Sequence, residues 1–238
     1  MSFPCVLQVS LQSKRLPRKA LLDVEGKPLV ERVLEGILPS PAVEKLIIQI
    51  PAQEEERELF LFLDSRREEW EEESGKPVNI LQFGEKPSWA DFSFMRRGRG
   101  PFFRATGDCP LLDPSHFSLL AGSLLKQVSF THHDEWDEEC SLPDGWDIEL
   151  FNGAALPLFE WNISQLYKHG AHPLPVLCYI PRPAGLATSV NRWQDLEMVR
   201  HIWREVANPH SYPQVVEWWK KEIQYDLDRV HAREEKKQ

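Results

Sequence analysis

Several features are missing from this sequence. No apolar run approaches the roughly 20 residues of a bilayer-spanning helix. Met1 to Ser10 carries neither the basic start nor the long apolar stretch of a secretory signal, so a cytoplasmic location is expected. Cysteine is scarce. Cys5, Cys109, Cys140 and Cys178 lie far apart without a C-x-x-C pair, which reads as four free thiols in a reducing compartment. Positive charge is short as well: 28 Lys and Arg face 37 Asp and Glu, a net of -9. A general nucleic-acid binder or an anionic-membrane binder needs a positive surface, so both classes are excluded, although a local basic patch can still hold phosphate. There is no internal repeat and no low-complexity linker.

What is present points to a packed α/β protein. Hydrophobic residues make up 42% and charged residues 27% of the 238, which supports a globular core. The length suits one α/β domain over 1–207 with a helical extension over 208–238. Strand and helix patterns alternate. Cys5–Ser10, Lys45–Ile50, Val78–Phe83 and Phe102–Thr106 read as strands. Leu29, Val30, Val33, Leu34 and Ile37 follow Pro28 at helical spacing, Ala52–Ser74 reads as a long charged helix, and Pro114 opens another. This order predicts a mostly parallel central sheet, with ligands beyond the C-terminal strand ends, in the loops after Ser10, Phe83 and Thr106. Farther on, Val128–Thr131, Asp147–Phe151, Val176–Ile180 and Ala187–Val190 read as short strands. Gly153–His169, Asn191–Ala207 and Tyr212–Ala232 read as helices.

Two of those loops carry chemistry. Lys14, Arg15, Arg18 and Lys19 fall within six residues just after the first strand, beside Ser13. Arg offers a planar fork of donors and Lys a compact charge, so the cluster suits a polyphosphate. Its alternative is a solvated surface loop. Asp108 follows Thr106 and Gly107 at the end of the fourth strand, where a carboxylate can hold a metal–phosphate or simply close a turn. Asp113, before Pro114, reads as a helix N-cap. In Pro143–Leu150 the strand alternation puts Asp147 and Glu149 on one face and Ile148 and Leu150 on the other. His132, His133, Asp134 and Glu135 read as a solvated charge run, and Trp218, Trp219 and Tyr225 as packing of the last helix.

Together these segments resemble one family. Gln8–Lys19 is similar to the pattern Q-A-R-M-x-S-x-R-L-P-x-K, Leu21–Leu29 to L-x-G-K-P-L, Arg104–Pro114 to R-x-T-G-D-C-P-L-I-D-P, Pro143–Glu149 to P-D-G-x-D-x-E, and Val190–Glu197 to V-D-T-P-E-D-L-E. That is the pattern of cytidylyltransferases that activate sugar acids. It spans the acylneuraminate and 3-deoxy-manno-octulosonate enzymes, and is nearest the spore coat polysaccharide biosynthesis protein F group. The matches run in order over about 200 residues, which chance short motifs rarely do. The resemblance implies a Rossmann-like, glycosyltransferase-A-type fold with helices on both faces of the sheet. It also implies transfer of CMP from CTP to a sugar acid with release of pyrophosphate, aided by Mg²⁺, in polysaccharide or glycan biosynthesis. Lys19, Arg15 and Asp108 would be catalytic. Gln8, Ser13, Lys14, Arg15, Lys19, Gly84, Thr106 and Gly107 would bind the nucleotide. Asp144, Asp147 and Glu149 would face the acceptor, and Asp108 and Asn191 the metal. Family members often dimerise, and the apolar side of the final helix is the expected contact. Three positions depart from the pattern: Ser10 replaces an Arg, Gln12 a small residue, and Asn191 an Asp. Lys14 and Arg18 are candidates to replace the lost Arg. The alternative is a weak or inactive member that binds a nucleotide, a sugar or a protein partner.

Overall fold

The computed structural model describes residues 1–84, 100–123, 145–146, 148–152, 186 and 188–222. The described elements are β1 (Phe3–Gln8), β2 (Asp23–Val24), β3 (Lys27–Pro28), α1 (Leu29–Ile37), β4 (Val43–Pro51), α2 (Arg57–Ser74), β5 (Val78–Phe83), β6 (Pro101–Thr106), α3 (Pro114–Ser123), β7 (Glu149–Asn152) and α4 (Trp193–Glu205). Residues 212–222 are also helical. Short 3₁₀ turns, Lys19–Leu21 and Glu54–Glu56, precede β2 and α2. The main sheet has the order β5-β4-β1-β6-β7. β1, β4, β5 and β6 run parallel, while β7 runs antiparallel to β6.

Side-chain patterning explains this arrangement. Cys5, Val6 and Leu7 are all fully buried, and β4 is buried without interruption from Leu46 to Pro51, as a central parallel strand requires when both faces are covered. Cys5, Leu7, Leu46, Ile48, Phe103 and Leu150 join the principal core with Val33 and Ile37 of α1, Leu59 and Leu63 of α2, and Phe117 of α3. Val6 and Phe102, alternating with these on their strands, are equally buried on the opposite face. α2 stops at Gly75, whose left-handed backbone lets its N–H reach the Glu71 carbonyl at 2.9 Å.

Two smaller cores attach the rest. Leu111, Trp146, Leu186, Ile202, Tyr212 and Val215 form one, with Trp218 and Trp219 packed against it. Leu16, Val24, Leu29, Val190, Leu196 and Val199 form the other. The β2–β3 hairpin, which periodicity does not reveal because each strand has two residues, turns at Glu25 and Gly26, both at positive φ. Residues 188–190 are in no strand, contrary to the expected strand over Ala187–Val190. Val190 N–H bonds the Asp108 carbonyl at 2.8 Å, and Thr188 and Ser189 are buried against Gly145. Cys5 and Cys109 are buried and in no disulfide. The readings on Val128–Thr131, His132–Glu135, Gly153–His169, Val176–Ile180, Tyr225, Cys140 and Cys178 lie outside the described residues. Among the described residues no helix is long and apolar enough to cross a membrane.

Candidate functional site

The loop after β1 is a compact structure, anchored at several points. Arg18 N–H donates to the Leu11 carbonyl at 2.9 Å and closes the loop on itself. Leu16, 1% exposed, plugs into the small core of Val24, Leu29, Val190, Leu196 and Val199. Glu56, fully buried in the 3₁₀ turn before α2, accepts the Ser10 hydroxyl and, at 2.8 Å, the Leu11 N–H. Ser10, one of the three departures, is therefore a structural tie to Glu56. Gln12 bonds Gln53. Glu56 was not legible as a functional neighbour, since in sequence it is one of three consecutive glutamates.

Asp108 faces this loop. Gly107 donates its N–H to the Gln8 carbonyl at 2.8 Å, and a Cβ there would sit 2.7 Å from the Val9 Cβ. Its glycine is required by close approach of β6 to the end of β1. Lys19 Nζ donates to Asp108 Oδ2 at 2.7 Å, to the Val190 carbonyl at 2.8 Å and to Asn191 Oδ1 at 3.2 Å. Arg15 Nη2 donates to the same Asn191 Oδ1 at 2.6 Å. Asn191 is held in turn: its N–H reaches Asp195 Oδ2 at 2.8 Å and its Nδ2 the Ser189 hydroxyl at 3.0 Å. Burial pushes the Asp108 carboxyl pKa up, but the Lys19 charge and hydrogen bond, with a bond from Thr106, outweigh it and hold the group below the usual carboxylate range.

The cationic loop and the Asp108 turn enclose one cleft of about 410 Å³. Gln8, Ser13, Lys14, Arg15, Lys19, Thr106, Gly107 and Asp108 all line it, together with Val9, Ser10 and Gln12. Other expected residues fall elsewhere. Gly84 follows β5, a strand separated from β1 by β4, and does not line the cleft. Arg18 turns away to pair with Glu58 of α2, so it does not replace the missing Arg. Lys14 does line the cleft. Asp144 and Asp147 lie outside the described residues. Gly145 has φ +103°, with Ser189 N and Thr188 Oγ1 2.4 Å from where a Cβ would be, so Gly145 packs on the segment leading to Asn191. Asp113 caps α3, accepting the Ser115 N–H at 2.8 Å, and also accepts the Tyr212 N–H at 2.9 Å.

Glu149 is neither solvent-facing nor open. Its Oε2 accepts Arg104 Nη1 at 2.6 Å, Arg104 Nε donates to Gln8 Oε1 at 2.6 Å, and Gln8 Nε2 donates to Gln49 Oε1 at 3.1 Å. One polar chain thus crosses β7, β6, β1 and β4 and fixes the amide of Gln8 at the cleft floor. Cross-strand register creates it, and register is invisible in a linear motif.

A divalent ion fits these side chains poorly. Asp108 and Asn191, the two expected oxygen donors, already hold Lys19 and Arg15, and among the described residues no group of three or more His, Cys, Asp and Glu side chains is placed to bind a metal.

Fold and cleft together define the class: this is the α/β nucleotidyltransferase fold, with a cationic loop and a carboxylate meeting at the C-terminal ends of β1 and β6. Residues 5–57, which carry most of β1, the cationic loop and Glu56, match the cytidylyltransferase family model. The whole chain is similar to a cytidylyltransferase of Leptospira borgpetersenii, at 18% identity over 94% of this chain and 96% of that one, TM-score 0.71. It is also similar to a CMP:2-keto-3-deoxy-manno-octonic acid synthetase solved with CTP, at 15% identity over 86% and 99%, TM-score 0.56. The 4-diphosphocytidyl-2C-methyl-D-erythritol synthase of Anaerococcus prevotii matches at 11% identity over 86% and 99%, TM-score 0.58. The likeness to these neighbours is one of fold.

Proposed function

We propose that this chain transfers the cytidylyl group of CTP to a sugar acid and releases pyrophosphate, as a step in surface polysaccharide or glycan biosynthesis. The observation that carries the reading is the convergence of Arg15 and Lys14 with the Thr106–Asp108 turn on one cleft. In the reaction a hydroxyl oxygen of the acceptor attacks the α-phosphorus, the bond to the bridging oxygen of pyrophosphate breaks, and the hydroxyl proton leaves to solvent or a base. Charge grows on the departing pyrophosphate, where the guanidinium of Arg15 and the ammonium of Lys14 would offset it. Arg15 arrives oriented, because Asn191 holds one of its N–H groups and leaves the rest of the fork for phosphate oxygens. The Gln8 amide, fixed from behind by Arg104, offers a neutral contact beside the phosphates. The nucleotidyl chemistry of the relatives named above supports cytosine as the base and an acid sugar as the acceptor.

Pyrophosphate release from CTP, measured with a panel of sugar acids and against ATP, UTP and GTP, tests this. Arg15→Ala is expected to lower CTP affinity roughly tenfold or more, since a charge-assisted contact contributes about 1.5–3 kcal/mol. Arg18→Ala is expected to leave affinity unchanged. Equal release from all four nucleotides would overturn the base assignment. CTP binding with no release for any acceptor would instead define a nucleotide-binding relative without catalysis.

A further inference from the structure

We propose that the Lys19 ammonium is the resident cation of this site, and that the chain engages its triphosphate without a divalent ion held by Asp108 and Asn191. The proposal rests on the nucleotide reading above only for the identity of the ligand. Its structural basis is separate. An ammonium has three N–H donors, and Lys19 has three oxygen acceptors within hydrogen-bond distance: Asp108 Oδ2, the Val190 carbonyl and Asn191 Oδ1. The ammonium is thus saturated by the oxygens that would otherwise bind a metal, and its side chain is only 12% exposed. It has no donor left for a phosphate.

Charge points the same way. Arg15 and Lys19 are cationic, Asp108 is anionic and Asn191 is neutral, so these four side chains carry one surplus positive charge. A divalent ion placed among them would meet net repulsion, whereas an anion is attracted. The Asn191 carbonyl is shared by two cations, a role for which a neutral amide suffices. Lys19 then acts as a positioning residue. It ties the cationic loop to the Asp108 turn and the Val190–Asn191 segment, while Arg15 and Lys14 meet the ligand.

Two measurements on the full chain decide this. Mn²⁺ is titrated by electron paramagnetic resonance without nucleotide. The wild type is expected to leave the free-ion signal unchanged, and Lys19→Met combined with Asn191→Asp, which opens the oxygen cluster and adds a carboxylate, is expected to bind Mn²⁺ at least about tenfold more tightly. Stoichiometric Mn²⁺ binding by the wild type that Asp108→Asn abolishes would overturn the proposal. If the double variant does not fold, the wild type alone suffices. CTP affinity by calorimetry is expected to be at least as high in EDTA as in magnesium, and a loss of about tenfold or more in EDTA would overturn the proposal. Absence of CTP binding in both buffers would sink the nucleotide reading instead, with the Mn²⁺ titration still deciding the role of Lys19.

Discussion

Gly107 has no room for a side chain. A Cβ there would overlap Val9, whose backbone is fixed by its bond to the Gln49 carbonyl. Gly107→Ala is expected to lower unfolding stability by about 1–3 kcal/mol in a urea titration, through overpacking and not through any lost contact. Asp108 behaves differently. Its folded carboxyl pKa is depressed, so its ion pair with Lys19 contributes stability above the unfolded carboxylate pKa and loses it as pH falls through the lower folded value. Asp108→Asn should therefore be less stable than wild type at neutral pH, with the difference vanishing in acid. Thermal melts across pH 2 to pH 7 check this, using a span of roughly the carboxylate titration range. At this scale the sequence was informative where chemistry depends on residue type and neighbours in the chain. The convergence of Lys19, Arg15 and Asp108 on one cleft was legible in that way, and the pairing of Lys19 with Asp108 was not. Glu56 and Arg104 were not, because their importance comes from partners 45 residues away and more.

Between elements, much of the holding is done by one buried arginine. Arg32 of α1 donates to the Val24 carbonyl at 2.9 Å and the Glu25 carbonyl at 2.5 Å, pairs with Glu35 at 3.0 Å, and lies 3.9 Å over the Trp203 ring of α4. It joins α1 to the hairpin and to the helix that follows Asn191. Arg32→Met is expected to cost about 3 kcal/mol, because it strands buried acceptors, with the loss read as a lowered urea midpoint. Leu16→Ala should cost about 2–5 kcal/mol by emptying the loop's anchor, and should weaken CTP binding through a loosened Arg15. The described helices and parallel strands were readable from periodicity to within a few residues. The hairpin and the non-strand course of 188–190 were not, because two-residue strands have no period and an apolar run does not reveal whether it joins a sheet. Trp146 and Trp203 also join the loop segments to the last helices.

For the molecule as a whole, acid is the expected weakness. Glu35 meets Lys27 at 2.6 Å and Arg32 at 3.0 Å, and His210 lies 4.0 Å away. Burial acts to raise its pKa, but these three partners win and hold it at about 2. A depressed carboxyl stabilises the fold above the unfolded value and ceases to do so below the folded one. The wild-type advantage over Glu35→Gln should thus be full at neutral pH and disappear between roughly pH 4.3 and pH 2 in urea titrations. The mostly parallel topology followed from the alternating pattern, because only crossover connections can join such strands.

The tie made by Lys19 also has a consequence for biosynthesis. It draws together residue 19, residue 108 and residues 190–191, so the last brace behind the cleft leaves the ribosome long after β1, β4 and β5 are available to pair. A nascent chain halted before Asn191 should hold a recognisable sheet and every residue that lines the cleft, and yet lack the amide that orients Arg15.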